Sequence, residues 1–224
     1  MATFQRARSE QQREVRRQTI LDAAAAMLAE MSVNEMSLNE LSRRVGLAKS
    51  NVLRYFESRE AILLELLDRA WDQWTADLAN RLQDSPDATT PVRERAERFA
   101  AVLAESLAGR RMLCDLLSAQ AGVLEHNVSP EVAARYKRAA IDNVAALAAL
   151  ARAKLPELGD QDWKLAAATF MVIGAVWTHA RPSRAMLAAY DADPALAALR
   201  QDFEDSLRDM LTTVIAGTLA RAAV

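Results

Sequence analysis

Residues 37–56 read SLNELSRRVGLAKSNVLRYF, two short helical stretches separated by Gly46. Ser37 followed three residues on by Glu40 forms a capping box, in which the serine hydroxyl meets a backbone amide that the first helical turn leaves without a partner. Met36 and Leu41 occupy the two positions of a hydrophobic staple around that cap. Gly46 supplies the conformationally free residue at which a helix ends. Counting from Leu38, inward apolar residues fall at the fourth, eighth, fifteenth and eighteenth places (Leu41, Val45, Val52, Tyr55), with small Ser42 at the fifth and glycine at the ninth. Two helices crossing steeply need a small residue where their axes meet, a glycine at the turn and apolar residues only on the shared face, which is the spacing of a helix-turn-helix. The other face of the second helix, Lys49, Ser50, Asn51, Leu53 and Arg54, is then free to enter a major groove. An αα corner inside a bundle would meet the same packing requirements.

Outward from this stretch the pattern is helical from end to end. A stripe of Ile20, Ala24, Met27, Leu28 and Met31 predicts a helix from about Arg16 to a break at Ser32-Val33-Asn34. Val52 and Phe56 turn inward from the second short helix, and Ser58 caps a long helix with Leu63, Leu66, Leu67, Ala70 and Trp74 on its buried side. Beyond Ser85-Pro86 and Thr89-Thr90-Pro91, Val92, Ala96, Phe99, Leu103 and Leu107 mark another helix, followed by a short segment near residues 111–122. Pro130 opens a helix that ends before Pro156, and Asp160 opens an apolar helix that stops at Pro182. A short segment at 183–190 leads to a last helix, about 195–220, carrying Leu196, Leu199, Phe203, Leu207, Met210 and Val214. No run of β-branched residues alternates, so the fold class is all-α.

Composition closes off several functions. With 51% hydrophobic residues in 224, the chain has material for a large core. Its six glycines never come closer than thirteen residues apart, which excludes a glycine-rich phosphate cradle and disfavours nucleotide folds. One cysteine, Cys114, excludes a disulfide framework and suits a reducing cytoplasm. His126 and His179 lie far apart without metal-ligand spacing, and no Ser/His/Asp grouping or paired carboxylates stand out, so no metal, cofactor or catalytic activity is expected. The longest apolar run, residues 165–177, falls short of the roughly 20 residues of a membrane span. Residues 1–60 carry ten Lys/Arg against eight Asp/Glu, and the remainder 18 against 22, a mildly basic head on an acidic body. Arg6, Arg8, Arg13, Arg16 and Arg17 suit either a flexible arm that adds salt-dependent affinity for a polyanion or a solvated tail.

The stretch GLAKSNVLRYFESREAILLELL, residues 46–67, resembles the TetR family of transcriptional regulators, and the specific resemblance covers about residues 13–67. Two departures stand out: Ala48 sits where that family usually caps the recognition helix with Ser or Thr, and Leu53 replaces a tyrosine that often touches DNA. The resemblance implies a three-helix DNA-binding head with a helix-turn-helix (residues 1–57) and a larger helical domain for effector binding and dimerisation (58–224). It implies groove contacts by Asn39, Ser50, Asn51 and Leu53, and phosphate contacts by Lys49, Tyr55 and Arg59. Side-chain chemistry agrees, since Lys and Arg suit anionic oxygens, a tyrosine hydroxyl can donate to one, and Asn pairs bidentately with adenine.

The helix at about 161–180 is apolar on both faces, with Trp163, Ala167, Phe170, Gly174 and Trp177 on one and Leu165, Ala168, Val172 and Val176 on the other. Such a helix has to bury one face in its own domain and the other against something else, for which a second copy is the economical candidate. The resemblance implies the same: a homodimer through the helices near 161–180 and 195–220. Trp71, Trp74, Phe99, Leu103, Met112, Cys114, Leu117, Tyr136, Phe170 and Trp177 are the large side chains expected between helices, as core or as the lining of an apolar effector pocket. The expected function is therefore a cytoplasmic, ligand-responsive regulator, a repressor released from pseudo-palindromic operator DNA by a small, largely apolar molecule. Its rivals are a helical enzyme and a helical adaptor in which the helix-turn-helix is coincidental.

Overall fold

The chain begins with a 29-residue helix, α1, Ala2–Glu30. It is followed by α2 (Leu38–Arg44), α3 (Lys49–Val52), α4 (Arg59–Arg81), α5 (Val92–Ala108) and α6 (Arg111–Ala119). A π-helical turn, Gln120–Leu124, leads to α7 (Pro130–Lys154), and a 3-10 turn, Pro156–Gln161, to α8 (Asp162–His179). The chain closes with α9 (Arg184–Ala192), α10 (Pro194–Ala197) and α11 (Phe203–Ala222). This computed structural model describes residues 2–83 and 89–223, with side chains from Glu10 onward. The side chains of Arg6 and Arg8, and the break at Ser85-Pro86, lie outside the described residues. Among the described residues every regular element is a helix, and none is long and apolar enough to cross a membrane.

Polar caps set the helix starts. Ser37 Oγ accepts from the Glu40 amide at 3.2 Å, Ser58 Oγ from Ala61 at 3.1 Å, Ser129 Oγ from Val132 at 3.2 Å, and Asp202 Oδ1 from Asp205 at 3.0 Å. The Glu40 carboxylate pairs with Arg43, so only the serine half of the capping box forms. Met36 and Leu41, the two staple positions, are both buried in the core. Gly46 stands at φ +65°, a left-handed conformation that any side chain would strain, and it lets α2 turn into α3.

Three helix boundaries differ from the sequence expectation. α1 starts at Ala2 rather than about Arg16, because a solvated helix needs no apolar stripe and so leaves no periodicity to read. The basic N-terminal segment is accordingly helical, not a flexible arm. The last helix starts at Phe203 rather than 195: α10 ends at Ala197, and Asp202 caps a new start. Leu196 and Leu199, at 38% and 64% exposure, therefore do not belong to its buried stripe. α8 begins at Asp162, after a 3-10 turn that takes up Asp160.

One apolar core runs from Ile20 in α1 to Ile215 in α11. α1, α2 and α3 cluster at one end, and α4 leads from them into a body in which α8 packs on α6, α7 and α11, and α11 also packs on α5. Trp71 and Trp74 of α4 are completely buried, their rings 4.8 Å apart and edge to face. Truncating either to alanine would cost roughly 3–5 kcal/mol. Gly174 of α8 faces α6 so closely that a Cβ there would lie 3.1 Å from the Leu117 carbonyl oxygen, which is why these two helices can pack backbone to backbone.

Candidate nucleic-acid interface

α2 and α3 bury Leu41, Ser42 and Val52, with Phe56 following into the core, and this leaves their remaining faces outward. Asn39, Lys49, Ser50, Asn51, Leu53 and Arg54 are exposed. Leu53, at 39% exposure, is one of the few large apolar side chains on the surface. Tyr55 is half-buried, and its carbonyl accepts from Arg17 Nη1 at 3.1 Å. As its sequence suggests, α3 starts at Ala48 without a side-chain cap.

Some charges of the head are compensated and others are not. Glu30 pairs with Arg44, Glu40 with Arg43 and Glu60 with Arg59. The Arg44 guanidinium holds the Glu30 carboxyl below its ordinary range. Arg13, Arg16, Lys49 and Arg54 form no ion pair among the described residues. Arg13 and Arg16 of α1 line an open groove of about 1130 Å³ whose opposite wall is Asn51, Arg54 and Tyr55. Uncompensated cations beside an amide side chain are what a polyanion with readable base edges requires.

Two arginines have other uses. Arg59 Nη1 donates to the Met36 carbonyl at 2.9 Å and the Val33 carbonyl at 3.5 Å, and its guanidinium pairs with Glu60 at 3.0 Å. It ties the α1–α2 loop to the start of α4. Arg17 pairs with Glu65 and lies 4.2 Å from the Phe56 ring centroid, fastening α1 to α4.

In the body, eight of the ten candidate pocket residues are buried: Trp71, Trp74, Phe99, Leu103, Cys114, Leu117, Tyr136 and Trp177. Met112 and Phe170 are partly buried. Trp71 Nε1 donates to the Asn143 carbonyl at 3.2 Å and Trp74 Nε1 to Ser106 Oγ at 2.8 Å. The Trp71 and Phe170 rings stand 4.8 Å apart. Leu117 and Phe170 line a shallow groove of about 260 Å³ between α6 and α8, beside Gly174. The Tyr136 hydroxyl is buried without a hydrogen-bond partner, and burial pushes its pKa up. Burial, then Asp115, pushes the Cys114 thiol up to about 12.

Sequence reading missed the residues that join head to body. Asp115 of α6 accepts from the Val33 amide at 3.0 Å and from Trp177 Nε1 at 3.2 Å, linking the α1–α2 loop to α8. Glu57, just after α3, accepts from the Ser129 amide at 2.6 Å at the start of α7. Asp115 sits in no motif, and nothing in the stretch around Glu57 points to Ser129; only the fold brings each carboxylate to its partners.

Two family models meet in this chain: one described as bacterial regulatory proteins, tetR family, matches residues 20–66, and one described as tetracyclin repressor-like, C-terminal domain, matches residues 68–222. The chain belongs to the TetR family. It is thus a transcriptional regulator whose helix-turn-helix is a DNA-binding unit. No curated protein matches it. Among solved structures, this TetR-family chain is similar to the fatty acid degradation regulator FadR of Bacillus halodurans, at 14% identity and a TM-score of 0.53 over 89% of this chain and 93% of that one. FadR of Bacillus subtilis, in complex with stearoyl-CoA, gives 16% and 0.51 over 88% and 97%. PfmR of Thermus thermophilus gives 19% and 0.51 over 88% and 97%. At these identities the likeness is one of fold.

Proposed function

We propose that this TetR-family regulator is a repressor that binds a pseudo-palindromic operator as a homodimer and releases it when a small, largely apolar molecule enters the larger domain. The observation that carries the reading is the division of α3, which buries Val52 while Lys49, Ser50 and Asn51 stand exposed, continued by exposed Leu53 and Arg54. Asn51 reads a base edge and Leu53 meets a thymine methyl, with Ser50 and Asn39 beside them at the groove. Lys49 and Tyr55 hold phosphates, and Arg13, Arg16 and Arg54 add charge along the backbone.

In this reading residues 1–57 form the operator-binding unit and residues 58–224 the effector-binding and dimerisation unit. α8 and α11 form the seam with the second copy, where the half-buried side chains Val172 and Val214 and the exposed Met171 and Met210 would be covered. Two recognition helices about 34 Å apart then enter successive turns of one groove. The effector seat lies where Trp71, Phe170 and Leu117 meet, reached from the groove between α6 and α8. An apolar effector suits that lining, and the B. subtilis regulator of the same fold is known in complex with stearoyl-CoA. A ligand wedged there acts on the heads through α4 and through the Asp115 bridge, by as much free energy as it prefers the rotated state. Operator binding places the protein in the cytoplasm, which its free, buried Cys114 suits.

A gel-shift with the DNA upstream of the protein's own gene tests this. The expected result is a sequence-specific complex that weakens steeply with salt; binding no tighter than to unrelated DNA would refute it.

A further inference from the structure

Between α8 and α11 the chain leaves the body. α9 and α10 pack on each other, neither buries a single residue, and residues 191–200 are exposed without exception. Yet this hairpin is not polar. Met186, Leu196 and Leu199 stand 47%, 38% and 64% exposed. Helices of nine and four residues gain little stability from their own hydrogen bonds in water, so an apolar surface that covered their exposed side chains would stabilise them.

What covers them follows from place and charge. Of the ten large apolar side chains exposed among the described residues, six fall between residues 163 and 210: the three above, Trp163 and Met171 on α8, and Met210 on α11. The hairpin thus lies in the chain directly between the two helices assigned to the dimer seam, whose own exposed apolar side chains complete that group of six. Residues 181–202 carry Arg181, Arg184 and Arg200 against Asp191, Asp193 and Asp202, a balance of zero. They lack the excess positive charge that DNA or an anionic lipid surface attracts. A two-fold contact, by contrast, brings the arginines of each hairpin to a copy that carries the same number of aspartates. At the root of the hairpin lies an open cleft of about 760 Å³ between Pro182, Leu187, Ala197 and Arg200, a concave seat for a partner's side chains.

We infer that the α9–α10 hairpin is an arm that clasps a second copy of this chain, extending the seam made by α8 and α11. The inference rests on the dimer reading above and adds a grip that the two seam helices do not supply. Leu196→Glu with Leu199→Glu alters side chains that this chain leaves exposed, so each copy should fold with unchanged helix content by circular dichroism; Met186→Glu serves as a second variant. Sedimentation equilibrium of the full chain should show a wild-type dimer at micromolar concentration and a dissociation constant at least tenfold higher in the variants. A wild-type dimer whose dissociation constant changes less than twofold in both variants would overturn the arm while leaving the seam intact. A wild-type monomer at that concentration would overturn both.

Discussion

Removing the Asp115 carboxylate should loosen the DNA-binding head from the body by a measurable amount. The carboxylate accepts from the Val33 amide at 3.0 Å and the Trp177 indole at 3.2 Å, and both residues are buried, at 2% and 6% exposure. A hydrogen bond to a charged acceptor contributes roughly 1.5–3 kcal/mol, and a donor left buried without a partner costs about as much again in lost hydration. Asp115 itself is only partly buried, so water can reach the vacated space and offset some of that loss. Asp115→Ala should therefore destabilise by about 3 kcal/mol, and at roughly 2–4 °C per kcal/mol for a chain of this length the melting temperature should fall by about 9 °C. Asp115→Asn keeps one accepting oxygen and should lose about half as much. Thermal and urea unfolding followed by circular dichroism measure the loss, and amide hydrogen exchange at Val33 locates it. A change below about 0.5 kcal/mol, with Val33 exchange unaltered, would refute the bridge.

Three further outcomes can be checked. Lys49→Ala should weaken binding to all DNA sequences alike, whereas Asn51→Ala should relax preference at one base position, costing about 1–3 kcal/mol there; an unchanged sequence logo for Asn51→Ala would show that Asn51 reads no base. Cys114, its thiol pushed up to about 12, should resist alkylation at pH 8 in the folded protein and react only on unfolding, as mass spectrometry of iodoacetamide-treated samples would show. The buried Arg95 guanidinium holds the Glu157 carboxyl below its ordinary 4.5, so this pair's stabilisation is complete above about pH 4.5 and is lost as pH falls through the lowered value. Glu157→Gln should flatten the acid limb of the stability curve, and an unchanged limb would count against the pair.

The parts of the fold legible in the sequence are those written in short-range chemistry. Ser37, Ser58 and Ser129 announce helix starts because a hydroxyl there meets an amide two or three residues on, and Gly46 announces a turn because its backbone takes φ +65°. Helical spacing misleads where it persists without one continuous helix: Leu196, Leu199 and Phe203 fit one stripe, yet α10 stops at Ala197 and a new helix starts under the Asp202 cap. It was silent where a helix is solvated, as in the first half of α1. The outward residues of α3 follow from the inward ones by elimination, so that face could be read in advance. The direction of a long charged side chain could not. The hydrogen bond of Arg59 to the Met36 carbonyl has no local signal, and Asp115 has none either, because Val33 and Trp177 are 82 and 62 residues away.

Selection of bound duplexes from a randomised pool tests the central claim most directly, because it asks of the whole protein what the exposed face of α3 implies. The enriched sequences should converge on a pseudo-palindrome whose half-site centres lie about 34 Å, or one helical turn, apart, with binding that falls steeply as salt rises. A pool that stays random after repeated rounds, or that converges on a single unrepeated half-site, would contradict the account.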